Sequence, residues 1–302
     1  MSPFDPLAEQ GALAVPSDLG TLVITGKDRL TWLNGLVTCD LARLEAPRGA
    51  YGLSTSKVGR ILADVVVVAG ETSLLVGVPR DRAAALRETF DAYLVMEDAE
   101  IADGSAEHAW IFLHGRSAAA LSASAPGVRG IVDFTGLGGA AVVVPASKRD
   151  EAMSALVAAG ATAGDDADWN ALRIERAVAR YGVDFDEKTY PQEASLERRA
   201  VSFQKGCYLG QEVVCRLEMR GHVHRKLVAL TLDGDAPLAS TEVTAAGEAI
   251  GQITSAATSP RLGRAVALAM VKHAHSGVGT HLAVGGRDAQ VVEVPLVVRR
   301  DG

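Results

Sequence analysis

Lys205, Cys207 and Tyr208 stand together in a run that reads Lys-Gly-Cys-Tyr-Leu-Gly-Gln-Glu and continues through Arg216, Arg220-Gly221 and Arg225. The thiolate is the reactive form of cysteine, and a nearby cation favours it. Lys205 is therefore expected to activate Cys207. Gly206 and Gly210 let the backbone turn through positive φ or approach a ligand closely. The competing expectation is a buried, inert thiol packed as a small hydrophobe. Seven basic residues against three acidic ones lie between Glu197 and Lys226, in a chain of formal net charge −7. A local cationic patch on an acidic chain points to a defined anionic ligand rather than to general nucleic-acid binding. A solvated face would carry the same arginines.

Asp64 is the second candidate. It interrupts the β-branched run ILADVVVV. In a strand buried on both faces a carboxylate is costly unless it is paired or hydrogen-bonded. Asp64 is expected either to aim into a ligand cavity or to lie at a solvated strand position. A third group sits on a helix expected over 168–180, which carries Trp169, Arg173 and Glu175. Trp169 offers a flat stacking surface, or packs on the core. Arg173 and Glu175 fit either a polar site or an exposed helix face.

The run from Lys205 to Arg225 resembles the motif of the YgfZ-type folate-binding proteins, which are similar to the glycine cleavage T-protein, an aminomethyltransferase. Trp169-Asn-Ala-Leu-Arg-Ile-Glu175, Pro191-Gln192-Glu193 and Ile250-Gly-Gln-Ile-Thr-Ser255 resemble further segments of that superfamily. Leu209 stands where some members carry threonine, and Leu19 where some carry an aromatic residue. The resemblance implies tetrahydrofolate as the ligand. Trp169 would border it and Glu175 would accept the N–H donors of its pterin. Tyr208, Arg216 and Arg220 join the implied binding set, the arginines meeting its anionic tail. Asp64 falls near the position of the T-protein's catalytic aspartate.

For a YgfZ-like protein the implied partners are iron–sulfur client enzymes, among them a tRNA methylthiolating enzyme, with no direct grip on nucleic acid. The rival expectation is folate-dependent aminomethyl transfer, with Asp64 orienting the folate amine. A third is a non-catalytic, folate-regulated scaffold.

Among 302 residues there are three cysteines, Cys39, Cys207 and Cys215, which argues against a disulfide framework and fits a reducing, cytoplasmic setting. The eight-residue spacing of Cys207 and Cys215 does not suit zinc, and no metal is expected. The N-terminus lacks a secretory pattern. No apolar run approaches the ~20 residues that span a bilayer, so no membrane association is expected.

Periodicity divides the chain into two α+β halves and a tail of short alternating strands. Asp28 is expected to cap a helix carrying Leu30, Leu33 and Leu36. Tyr51–Ala69 reads as a hairpin turning at 57–60, and Ile131–Phe134 as a strand. The expected fold is α+β: two ferredoxin-like halves, 1–103 and 104–223, then a small antiparallel β-barrel over 224–302.

Overall fold

The computed structural model describes residues 11–294. Among these, 11–166 with 198–213 form one compact unit, and 167–197 with 214–294 form another. The expected α+β architecture with a C-terminal barrel is what the chain adopts.

The first unit holds strands β1 (Leu13–Ser17), β2 (Leu19–Thr25), β3 (Gly49–Thr55), β4 (Ile61–Ala69), β5 (Leu74–Pro79), β6 (Glu100–Asp103), β7 (His108–His114), β8 (Val128–Gly130), β9 (Gly139–Pro145) and β10 (Thr162–Ala163). Its principal helices are α1 (Arg29–Asn34), α2 (Ala83–Asp91), α3 (Ala118–Leu121) and α4 (Arg149–Ala158). The strands form two five-stranded sheets, ordered β3-β4-β5-β2-β6 and β10-β1-β7-β9-β8. The first residues therefore build the second sheet: β1 pairs with β7 and β10.

The two sheets face each other across a shared core that includes Val66, Val68, Trp110, Phe112 and Val143. Helices cover the outer faces, with Leu86 and Phe90 of α2 packing on one sheet and Ala152 and Leu156 of α4 on the other. This explains the run of valines in β4. Val65 and Val67 face the helical side while Val66 and Val68 face the other sheet, so both faces must be apolar. The indole of Trp110 donates to Thr21 Oγ1 at 2.9 Å, joining the sheets through a buried hydrogen bond. Gly77 makes room for that ring, since a Cβ there would stand 2.9 Å from the indole.

The second unit contains α5 (Asp166–Glu175) and the barrel strands β11 (Arg225–Leu232), β12 (Glu242–Ala245), β13 (Glu248–Ser259), β14 (Arg264–Lys272), β15 (His281–Val284) and β16 (Arg287–Val292). Helices α6 (Glu197–Ala200) and α7 (Gln211–Arg220) precede the barrel in the chain. The six strands close in the order β11-β14-β13-β12-β15-β16. Closure leaves no open sheet edge, and Val228, Leu230, Val243, Ile253 and Val284 fill the interior.

Three expectations change. Asp28 does not cap α1 with its side chain. Its carboxylate accepts the Asp98 amide at 2.9 Å, and its own amide donates to the Asp98 carbonyl at 3.0 Å. Residues 131–134 are not a strand but lead into a turn built on Asp133. That carboxylate accepts the amides of Thr135, Gly136 and Gly138 at 2.8–2.9 Å and the Thr135 hydroxyl at 3.0 Å. Burial works against the charge, but these bonds hold its pKa below the usual carboxylate value. Finally, α5 stops at Glu175 rather than near 180. Ala177 turns to φ +48°, and the Val178 amide reaches back to the Arg173 carbonyl at 2.7 Å, a left-handed closure that ends a helix.

Candidate functional site

Asp64 occupies the same face of β4 as Val66 and Val68, so its side chain belongs to the space between the two sheets of the first unit. It is half-buried there. Tyr51 of β3 lies opposite Val66 in the register, one diagonal step from Asp64. Its hydroxyl donates to Asp64 Oδ2 at 3.3 Å. The Tyr51 ring lies 5.3 Å from Phe134, which meets Phe112 and His114 edge-on at 5.6 and 5.5 Å. His114 stacks in turn on Phe112, 6.1 Å between centroids.

The electrostatics of this group follow from burial. Burial, with Asp64 close by, raises the Tyr51 pKa well above its ordinary value, so the phenol keeps its proton and donates. Burial lowers the Arg199 pKa, and Tyr51 and Asp133 act in the opposite direction. Burial also pushes the His114 pKa down to about 3, against the pull of Asp133, so the imidazole is neutral. The result is a carboxylate oriented by a phenol, next to an aromatic wall. Such a group can hold a flat heterocycle and accept a hydrogen bond, or a proton, from an amine.

The His114 environment predicts acid sensitivity. The folded pKa lies below the unfolded value of 6.5, so this group's contribution to stability is present above pH 6.5 and is lost as pH falls towards 3. In that window the unfolded imidazole binds a proton that the folded one refuses, and each pH unit costs about 1.4 kcal/mol at most. Urea titrations between pH 7 and 4 should show a steeper loss for the wild type than for His114→Phe, which keeps a ring and removes the titration. Equal slopes would contradict this assignment.

The Lys205 motif belongs to the same unit but is arranged differently from the sequence expectation. The Lys205 ammonium donates to the carbonyls of Asn34, Val37 and Cys39 at 2.7, 2.8 and 2.6 Å. A thiol in its field is that of Cys39, and the ammonium is engaged by these three carbonyls, a setting the sequence did not announce. Burial pushes Cys39 up to about 12, against the pull of Lys205, and so makes that thiol inert. Cys207 is exposed, so the packed-hydrophobe alternative does not describe it. Tyr208, expected at a ligand, is buried with its ring 5.5 Å from the Lys205 ammonium. Gly210 sits at φ +82°, where a Cβ would stand 2.4 Å from the Ser56 carbonyl. At Gly206 a Cβ would meet nothing within 4 Å, so that glycine leaves open space beside Cys207.

The remaining candidates lie in the second unit. Trp169 is half-buried on α5. Glu175, the last residue of α5, is fully buried. Ser259 donates to its Oε1, while Oε2 has no hydrogen-bond partner. Burial raises its pKa, opposed by Ser259 and Arg261. Arg216 is exposed on α7, and the backbone of Arg220 ends that helix. Arg173 turns out to be structural: it meets Asp184 at 2.7 Å, both side chains fully buried. His222 and His273 bring their rings to 6.4 Å, but no group of three or more metal-binding side chains occurs among the described residues. No helix among them is long and apolar enough to cross a membrane.

Tyr51, His114, Asp133 and Arg199 were not singled out in the sequence. The hairpin register held a signal for Tyr51, because a turn at 57–60 places it near Asp64. Nothing local marked the other three, which are linked to Tyr51 through tertiary packing: Arg199 by its charge, His114 by way of Phe134, and Asp133 by way of Arg199 and His114.

Residues 225–298 match the glycine cleavage T-protein C-terminal barrel domain. The chain is 29% identical over 300 residues to an aminomethyltransferase of Thermosynechococcus vestitus, covering 92% of this chain and 81% of that one. It is 27% identical over 319 residues to an aminomethyltransferase of Streptomyces coelicolor, covering 94% and 86%. Its fold is similar to the crystal structure of glycine cleavage system aminomethyltransferase T from Bartonella henselae, with TM-score 0.81, 19% identity, and coverage of 98% of this chain and 89% of that one. The barrel segment is thus similar to that domain, the chain is similar to these aminomethyltransferases over most of their length, and its α+β-plus-barrel fold is shared with the Bartonella henselae structure.

Proposed function

We propose that the chain binds tetrahydrofolate and carries out folate-dependent aminomethyl transfer. The observation that carries this reading is the Tyr51–Asp64 pair, a carboxylate held by a phenol at 3.3 Å beside an aromatic wall. Asp64 would accept a hydrogen bond from the folate amine and take up its proton as the nitrogen bonds to the transferred carbon, while that carbon's bond to its donor breaks and the electron pair departs with the leaving group. The aminomethyltransferase relatives support the reaction class.

The residues present also suit the ligand. The partnerless Oε2 of the buried Glu175 offers an acceptor to the N–H donors of a pterin. Trp169 would border the pterin, and Arg216 would attract its anionic glutamate tail; the side chain of Arg220, the other expected partner of the tail, lies outside the described residues. Titration with tetrahydrofolate should quench tryptophan fluorescence, and Trp169→Ala should weaken binding by roughly tenfold, the scale of one stacking contact. Unchanged affinity and quenching in Trp169→Ala would remove that residue from the site.

A second reading is favoured by one observation, the exposed Cys207 beside open space at Gly206. On this reading the chain is a YgfZ-type folate-binding protein that assists iron–sulfur enzymes in the cytoplasm, such as a tRNA methylthiolating enzyme, with Cys207 as its reactive group.

A further inference from the structure

We propose that Lys205 is a positioning residue whose ammonium acts as an internal cation, fastening the Cys207 loop to a cup of three backbone carbonyls at Asn34, Val37 and Cys39. This role does not depend on which ligand or client the protein serves.

The distances define the cup. One nitrogen lies within 2.6–2.8 Å of three carbonyl oxygens. An ammonium has three N–H donors and a compact charge, so it can meet all three at once. The carbonyls belong to the turn that follows α1, more than 160 positions away in the chain. Lys205 thus bridges two distant stretches through charge-assisted hydrogen bonds.

The bonds on either side show what this bridge holds. Before the loop, the Ser202 amide donates to the Thr38 carbonyl at 2.9 Å, and the Thr38 hydroxyl donates to the Ala200 carbonyl at 2.5 Å. After it, the Leu209 amide donates to the Gly35 carbonyl at 3.0 Å, and the Thr55 hydroxyl to the Leu209 carbonyl at 2.5 Å. Both ends of the segment are therefore tied independently of Lys205. Between them Phe203, Gln204, Gly206 and Cys207 are mainly solvent-facing. Lys205 is the side chain that pins this stretch, with Tyr208 packed under its ammonium. Removing it should free residues 203–208 while leaving the flanking ties and the sheets in place.

The charge of the tie also makes it sensitive to pH. Burial pushes the Lys205 pKa down to about 8, with Cys39 and Asp40, its neighbours on the cup, acting in the opposite direction. A neutral amine keeps two N–H donors for three carbonyls, so the loop should loosen as pH rises through that value. Cys39 stays protonated there, since its own pKa is near 12.

The test is the rate of chymotryptic cleavage after the exposed Phe203, each rate divided by that of a free peptide of the same sequence at the same pH. Loss of this charge-assisted tie in Lys205→Met should raise cleavage there by roughly tenfold or more, with thermal unfolding of the protein unchanged. In Lys205→Gly, methylammonium should slow cleavage again by refilling the cup. Unchanged cleavage in Lys205→Met would overturn the proposal. So would a rise in Lys205→Gly that methylammonium does not reverse, because the tie would then not be the cation. Should neither variant fold, the wild type decides: faster cleavage at Phe203 above pH 8 supports the proposal, and a constant rate overturns it.

Discussion

Asp184→Ala is expected to destabilise the second unit by about 3–5 kcal/mol, the usual cost of leaving one partner of a buried ion pair uncompensated. Asp184 and Arg173 have side-chain exposures of 0% and 2%, and the guanidinium reaches the carboxylate at 2.7 Å. The rest of the carboxylate is satisfied as well. Its Oδ1 accepts the hydroxyls of Thr254 and Ser255 at 2.6 Å each, and its Oδ2 accepts the Arg180 amide at 2.9 Å. Arg173 also donates to Ser255 Oγ at 2.7 Å and to Asn170 Oδ1 at 2.9 Å. This network fastens α5 and the loop after it to barrel strand β13. Deleting the carboxylate leaves the fully buried guanidinium without its counter-charge and the buried Ser255 hydroxyl without its acceptor. The double change Arg173→Met with Asp184→Leu removes both charges and should recover much of the loss. Urea denaturation of the two single variants and the double variant measures the coupling. By contrast, the exposed Lys272–Glu248 pair should contribute little, because water screens it. An Asp184→Ala protein with wild-type stability would show that the network does not bear on folding.

The sequence expectations succeeded where local pattern determines structure. The alternation of β11, β13 and β14 announced a barrel, and the hairpin of β3 and β4 appeared with its turn near 57–60. The continuous valine run of β4 was readable as a strand because burial on both faces removes alternation. Expectations failed where a polar group found a distant partner. Asp28 bonds Asp98 instead of capping its own helix, and Asp133 gathers the amides of a turn where a strand was expected. Arg173 was read as a possible surface charge because its partner, Asp184, lies in a loop without periodicity. The site shows the same division. Asp64 stood out as a carboxylate in an apolar run, whereas the aromatic wall of Phe112, His114 and Phe134 beside Tyr51 forms only through tertiary packing. Lys205 stood out beside Cys207, but its charge is spent on three carbonyls that no sequence spacing reveals.

Asp64→Asn carries the other large expected effect. Tyr51 and the aromatic wall give Asp64 its setting, and the amide of asparagine is nearly isosteric and still accepts the Tyr51 hydroxyl. The fold should therefore persist, and thermal unfolding should shift little. What asparagine cannot do is take up a proton from an amine, a contribution of typically 10²–10⁴-fold in rate. Cys207 plays no part in that step, so Cys207→Ser should leave it intact. The measurement that tests the central reading most directly is folate-dependent turnover in a reconstituted glycine cleavage assay, with the wild type, Asp64→Asn and Cys207→Ser side by side. Aminomethyl transfer predicts turnover by the wild type and by Cys207→Ser, with a loss of roughly 10²-fold or more in kcat for Asp64→Asn. Full activity in Asp64→Asn, or no folate-dependent turnover by the wild type, would contradict it.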